Sequence, residues 1–276
     1  MNRIEKQIIP IAFCVDDNYI PFMATAIQSI MENADPDNDY HIYIIHEKIS
    51  KKHIELLKKQ MKKHLQFSIF FINVAHYKEL LIKNRRFGVA IYFKLMIPFI
   101  LAEYEKILFL DGDIVVLSDI TKLFNYNLEN YLLGAVHNST IANQRIGMKN
   151  PHNYFNSGVM LFNTKAFVQM INQNQLIEMA TSTKYNLPDQ DILNIVCEDK
   201  VCFLHKQWNS IENGKVGIMH FIWDKPWQQL LVTQRTKYFW YYARKTPFIN
   251  EIYFKFIQLA PMRTLKNIIR KIQAKL

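Results

Sequence analysis

Short apolar runs alternate with segments of helical period along most of this chain. Residues 8–15 are almost wholly apolar and end at Asp16-Asp17-Asn18, which predicts a strand buried on both faces and then a turn. Pro10 falls near the start of that run, where a missing backbone donor matters least. Pro21 opens a helix on which Phe22, Met23, Ala26, Ile27 and Ile30 share one face. Residues 41–45 and 67–73 predict two more strands. Between them Ser50 caps a basic helix with Ile54, Leu57, Met61 and Leu65 along one side. Residues 89–100 predict a helix broken near Pro98. The strand predicted at 106–110 runs directly into Asp111-Gly112-Asp113. Strands at 133–137, 155–162, 201–204 and 216–220 and helices at 165–180 and 189–197 complete the pattern.

Strands and helices in alternation predict an α/β domain, a mixed but mostly parallel sheet with helices on both faces. Such sheets bind ligands beyond the carboxyl ends of their strands. Asp16 and Asp17 stand at one such end and Asp111 and Asp113 at another, an arrangement suited to a cation or to sugar hydroxyls. The seven glycines match neither GxGxxG nor GxxxxGK[ST], which excludes the glycine-rich dinucleotide fingerprint and the Walker A loop. No apolar run reaches the roughly 18 residues of a membrane span. Residues 87–102 come nearest, and Lys94 interrupts them. The first apolar run leads into two aspartates rather than a small-residue cleavage site, so no export signal is expected. Three unclustered cysteines, 14, 197 and 202, point to free thiols in a reduced, cytoplasmic protein. Cys197, Cys202 and His205 lack a fourth zinc ligand at finger spacing and are expected to be structural.

The charge is uneven. The chain carries +10 overall, yet residues 225–276 hold eleven Lys/Arg against Glu251 alone, leaving 23 of each sign in residues 1–224. Five consecutive aromatics, Tyr238 to Tyr242, fall in the same stretch. At helical spacing after Met262, Leu265, Ile268, Ile269, Ile272 and Leu276 alternate with Arg263, Lys266, Arg270, Lys271 and Lys275. This pattern predicts an interfacial amphipathic helix on an anionic membrane surface, with the aromatics at headgroup level. The division expected is a catalytic domain over 1–226 and a basic, membrane-associating region over 227–276, so that the protein sits peripherally on the inner face of the cytoplasmic membrane. Because the body is neutral, a nucleic-acid partner is not expected.

Asp111-Gly112-Asp113 places two carboxylates two residues apart, which in extended backbone point the same way about 6.6–6.8 Å apart. They repel unless a cation joins them, and hard oxygen donors suit Mg²⁺ or Mn²⁺. The same triplet is also ordinary turn chemistry. Its surroundings decide what it resembles. VDDNY at 15–19, YEKILFLDGDIVVLSDITKLF, YFNSGVMLFN, LPDQDILN and MHFIWDKPW, in this order, resemble family 8 glycosyltransferases, retaining enzymes of the GT-A fold.

The resemblance implies a UDP-hexose donor, galactose or glucose, and a glycan acceptor such as the lipopolysaccharide core. It implies Mn²⁺, with Mg²⁺ as the alternative, on Asp111, Asp113 and His220. It implies that Lys225 contacts the donor phosphate, that Cys14, Asp16 and Asn18 hold the nucleotide, and that Lys94, Gly112, Asn156 and Ser157 line the donor site. Asp189 and Gln190 would meet the sugar from its other face, with Gln190 at the position of a nucleophile and Asp191 as the other candidate. Four residues separate His220 from Lys225, where relatives often have five or six, and Asn138 stands where some galactosyl relatives have aspartate. An amide is a poor nucleophile, which favours same-face attack within a tight ion pair. Two other readings stay open on the residues alone. One is a metal-dependent phosphotransferase or nuclease; the other is a non-catalytic, membrane-associated sugar-binding module of the same fold.

Overall fold

The computed structural model describes residues 6–77, 90–138, 147–182, 185–211 and 216–273, with backbone alone for 90 and 265–273. Nine strands are described: β1 (Ile8–Cys14), β2 (Asp39–His46), β3 (Phe67–Asn73), β4 (Lys106–Leu110), β5 (Ile114–Val116), β6 (Leu133–His137), β7 (Phe155–Asn163), β8 (Val201–Phe203) and β9 (Ile218–His220). Seven form one sheet in the order β3-β2-β1-β4-β7-β6-β8. β3, β2, β1 and β4 run parallel, β7 opposes both β4 and β6, and β8 is parallel to β6. The expected mixed, mostly parallel sheet is therefore present.

The near-continuous apolar strands follow from two buried faces. In β4, Leu108 and Leu110 pack into a core with the helix Ile20–Asn33, while Ile107 and Phe109 face a second core with helices Pro188–Val196 and Gln173–Ala180. Ile9, Ile11 and Phe13 of β1 and Val159 and Leu161 of β7 join the first core; Ala12, Met160 and Phe162 join the second. Pro10 lies opposite His41 of β2 and outside the two residues that β1 pairs with β4.

Several predicted elements move when seen in place. Ser50 does cap the helix Lys51–Met61, accepting from the His53 amide. The break expected at Pro98 falls earlier: a 3₁₀ turn over Lys94–Met96 separates helices Ala90–Phe93 and Ile97–Ile100, and Pro98 sits in the first turn of the second. The single helix expected at 165–180 is two, Thr164–Met170 and Gln173–Ala180, because Asn172 caps the second through the amides of Asn174 and Gln175. β5, unforeseen, pairs antiparallel with β9, setting Ile114 opposite His220.

Packing continues past residue 226, the expected end of the catalytic domain. Trp227 is buried and stacks on Phe22, ring centroids 3.7 Å apart. The helix Gln234–Ala243 lays Phe239, Trp240, Tyr242 and Ala243 in the first core, and Ile252 of the helix Ile249–Gln273 joins them. Three of the five consecutive aromatics are thus core residues, because they sit on the inward face of a helix packed against Ile20–Asn33. Tyr238 and Tyr241 remain exposed. The helix expected after Met262 exists as backbone to Gln273; the side chains from Leu265 onward, on which its amphipathic reading rests, lie outside the described residues. Among the described residues no helix is long and apolar enough to cross a membrane.

Candidate active site

β1, β4 and β6 end at one edge of the sheet, and β7, being antiparallel, begins there. This edge opens into a cleft of about 530 Å³. Its wall includes Cys14 and Asp16 after β1, Asp111, Gly112 and Asp113 after β4, Asn138 after β6, and Asn156 and Ser157 at the start of β7. Lys94, Asp189, Gln190, His220 and Lys225 complete the set of expected residues that line it. Asn18 and Asp191 do not. Asn18 is exposed on the turn before the first helix, and Tyr19 faces the cleft instead. Asp191 is buried behind the cleft, accepting from Tyr154 Oη at 2.5 Å and from the amides of Asn186 and Leu187.

Asp111-Gly112-Asp113 is both things its composition allowed, a turn between β4 and β5 and a pair of convergent carboxylates. β5 then draws β9 alongside, and the Phe221 amide donates to the Asp113 carbonyl at 3.0 Å. His220 is delivered in this way from more than a hundred residues away. Its Nε2 lies 3.2 Å from Asp113 Oδ1 and 3.7 Å from Asp111 Oδ2, and one ligand atom from each of the three falls within 4.8 Å of the others. Burial pushes the His220 imidazole down to about 4 despite Asp111 beside it, with Lys94 and Arg235 acting in the same direction as burial, so the ring is neutral and can offer a lone pair. Two carboxylates and a neutral imidazole form a donor set for a hard to borderline divalent cation.

Two lysines neutralise the carboxylates meanwhile. Lys94 is buried with Nζ 2.7 Å from Asp189 Oδ2 and 3.2 Å from Asp111 Oδ1. Burial alone would lower Lys94, but Asp111 and Asp189 outweigh it and hold the ammonium charged. Lys225 pairs with Asp113 across the shortened loop, and burial brings it down to about 8, against the pull of Asp111. Four intervening residues are therefore enough to carry Lys225 to the cleft. Desolvation raises the Cys14 thiol and keeps it protonated in the cleft wall.

The start of β7 is irregular where it meets the site. Its partner on β6 jumps from Met160 (opposite Ala135) to Asn156 (opposite Val136), so Ser157, Gly158 and Val159 arch away from β6. The arch turns Ser157 toward Asp189, with Oγ donating to Oδ2 at 3.2 Å, and presses Gly158 against the acidic turn, its carbonyl accepting the Asp111 amide at 2.8 Å. Gln190 is locked into the arch. Its Oε1 accepts from the Ser157 amide at 3.0 Å and Asn156 Nδ2 at 3.1 Å, and its Nε2 donates to Tyr154 Oη at 3.0 Å. Tyr19, Tyr154, Gly158 and Asn209 are site residues that the sequence reading did not single out. Tyr19 lay in the quoted VDDNY segment and Tyr154 and Gly158 in YFNSGVMLFN, whereas nothing in the sequence marks Asn209.

A family model described as Glycosyl transferase family 8 matches residues 10–231. The chain belongs to glycosyl transferase family 8. Among relatives, General stress protein A of Bacillus subtilis (strain 168) is 25% identical over 220 residues, which cover 75% of each chain. A lipopolysaccharide 1,2-glucosyltransferase of Escherichia coli is 27% identical over 223 residues, 75% of this chain but 64% of that one, so less than two thirds of that relative's length is matched. The solved structure of galactosyltransferase LgtC with donor and acceptor sugar analogs superposes with a TM-score of 0.70 at 22% identity, covering 87% of this chain and 96% of that one. The sheet described above is the GT-A sheet that family 8 membership implies.

Proposed function

We propose that this protein transfers a hexose, galactose or glucose, from a UDP-sugar to a glycan acceptor with retention at the anomeric carbon. The observation that carries the reading is the convergence of Asp111, Asp113 and the Nε2 of a neutral His220 on the floor of a cleft also walled by Lys94 and Lys225. These three residues fit a divalent cation, Mn²⁺ by preference and Mg²⁺ as the alternative, and would be its protein ligands. Bound there, the ion supplies Lewis-acid neutralisation of the leaving diphosphate. Lys225 adds a second positive charge where the diphosphate departs, exchanging Asp113 for phosphate oxygens. Asp16 uses one oxygen to hold the Tyr19 amide at 3.0 Å and leaves the other for ribose or uracil. Cys14 closes the wall beside it.

The hydrogen bonds bear on how configuration is retained. Gln190 Oε1 is saturated by two N–H donors, and Asp191 is spent on Tyr154 and two backbone amides. Asp189, the remaining carboxylate on that side, is paired with Lys94 and Ser157. No described residue there offers an unengaged carboxylate as nucleophile. Same-face attack follows, with a leaving phosphate oxygen accepting the acceptor's proton while Gln190 and Asp189 hold the sugar.

A lipopolysaccharide-core acceptor is the proposal that the Escherichia coli relative's name supports. Peripheral attachment at the inner face of the cytoplasmic membrane goes with it, through the basic carboxyl-terminal helix. The test is a screen of UDP-galactose, UDP-glucose and their N-acetyl forms for Mn²⁺-dependent hydrolysis. Asp113→Asn should lower the turnover of the accepted donor at least about a hundredfold with thermal unfolding unchanged. Turnover within tenfold of wild type, or full turnover with the metal chelated, would remove the metal from the reading.

A further inference from the structure

His220 is useful to a metal only if Nε2 carries the lone pair, and that depends on which ring nitrogen holds the proton. The answer is written in a run of hydrogen bonds that starts at a backbone amide. Gly158 N–H can only donate, so the side-chain atom of Asn156 that it meets at 3.0 Å is the oxygen Oδ1. The same Oδ1 faces Asn209 at 2.7 Å, so the atom of Asn209 there is the donor Nδ2. The other end of Asn209 is then Oδ1, an acceptor, and it lies 2.8 Å from His220 Nδ1. Nδ1 therefore carries a proton, which leaves Nε2, facing Asp111 and Asp113, as the nitrogen that can meet a metal. The assignment of Asn156 is anchored twice, since its Nδ2 meets Gln190 Oε1, itself fixed as oxygen by the Ser157 amide.

We propose that Asn209 is the positioning residue that fixes the tautomer and the ring plane of His220 for metal binding. Its place supports this. Asn209 is buried, and the Ser210↔Met219 bridge next to it ties its backbone to β9, with the His220 amide donating to the Ser210 carbonyl at 2.9 Å. It thereby connects the metal side of the cleft, through His220, with the sugar side, through Asn156 and Gln190. Metal-bound histidines generally need such a partner on the second nitrogen, and its loss weakens metal binding about 10–100-fold. The inference rests on the reading of Asp111, Asp113 and His220 as ligands.

Two variants separate orientation from packing. Asn209→Ala removes the acceptor; Asn209→Asp keeps an acceptor on Nδ1–H but gives up the donor to Asn156. Titration with Mn²⁺ alone, followed by electron paramagnetic resonance, should show affinity lowered about 10–100-fold in Asn209→Ala and restored to within about threefold of wild type in Asn209→Asp. In metal-free protein labelled with ¹⁵N-histidine, with His220→Gln used to assign the signal, wild type and Asn209→Asp should show the Nδ1–H tautomer. Asn209→Ala should shift toward Nε2–H. An Nε2–H signal in wild type, unchanged Mn²⁺ affinity in Asn209→Ala, or equal loss in both variants would overturn the proposal. Should Asn209→Ala not fold, an Nε2–H signal in wild type still overturns the proposal. Failure of wild type to bind Mn²⁺ would count against the metal reading itself, while the tautomer is read without metal.

Discussion

At Gly158 the active site has no room for a side chain. A Cβ there would stand 2.1 Å from His220 Cε1 and 2.9 Å from Asp111 Oδ2, closer than packed atoms ever approach. Only a glycine lets β7 come so near that its carbonyl accepts the Asp111 amide while the imidazole passes over it. Gly158→Ala is therefore expected to displace His220 and weaken Mn²⁺ binding more than tenfold, with a modest loss of stability, measured by metal titration beside thermal unfolding. Affinity equal to wild type would mean that His220 is not needed in its observed place. The acidic pair was legible from its spacing, whereas Lys94, Lys225 and His220 were marked only by the resemblance to family 8. Asn209 was marked by neither. An asparagine in a 3₁₀ turn has no periodicity or motif to betray it, and its role exists only once β5 and β9 have paired. Asp191 shows the opposite failure: its position next to Gln190 suggested reactivity, but on a helix adjacent residues point apart, and its carboxylate turns back to the Asn186 and Leu187 amides.

Among the elements, the strands were read best because both faces of the sheet are buried, which writes each strand as an apolar run. β5 escaped because three residues cannot establish a period, and the helix break was placed at Pro98 because proline was weighed as a breaker when it serves as a starter. The carboxyl-terminal helix Ile249–Gln273 is tied to the amino-terminal half by a cluster that spacing could not reveal. His53 Nδ1 lies 2.8 Å from Asp17 Oδ1 and its Nε2 lies 2.9 Å from Glu251 Oε2, and Lys52 pairs with Glu251 as well. Burial alone would raise both carboxyls, but hydrogen bonds from Lys52 and His53 on Glu251, and from Ser50 and His53 on Asp17, hold them low. A carboxyl lowered by folding contributes stability above its unfolded value and loses it as pH falls through the folded one. Acidification through and below the ordinary carboxylate range should therefore loosen this helix. Glu251→Gln should remove much of that dependence and cost about 1 kcal/mol at neutral pH, a small figure because the pair is partly solvated. Hydrogen exchange of residues 249–264 at a series of pH values gives the measurement, and a pH response identical in wild type and Glu251→Gln would refute the linkage.

For the molecule as a whole, the first part of the basic carboxyl-terminal stretch packs onto the catalytic body. Arg263 donates to the Trp223 carbonyl at 2.6 Å and to Gln228, bracing the loop that carries Lys225, and Trp240 stacks on Tyr253 with centroids 5.5 Å apart. These contacts, with Trp227 on Phe22, bind residues 227–264 to the catalytic body. In the same stretch Leu231 is 79% exposed, Ile257 68% and Phe254 62%, with Lys237 exposed on the helix that carries Tyr241 and Arg244 exposed just after it. Lys266, Arg270, Lys271 and Lys275 follow in the sequence. Each cation near an anionic membrane contributes about 1 kcal/mol, so neutralising these four should weaken vesicle binding by about 4 kcal/mol, close to three orders of magnitude. The experiment compares the full chain with a variant in which the four are glutamine, sedimented with anionic and with neutral vesicles at low and high salt. Wild type should bind anionic vesicles at low salt and leave them at high salt. The variant should stay largely in solution yet turn over a soluble acceptor at the wild-type rate, since the residues of the cleft all precede Trp227. Binding that ignores lipid charge, or that is equal in the two proteins, would show that these cations serve something other than a membrane.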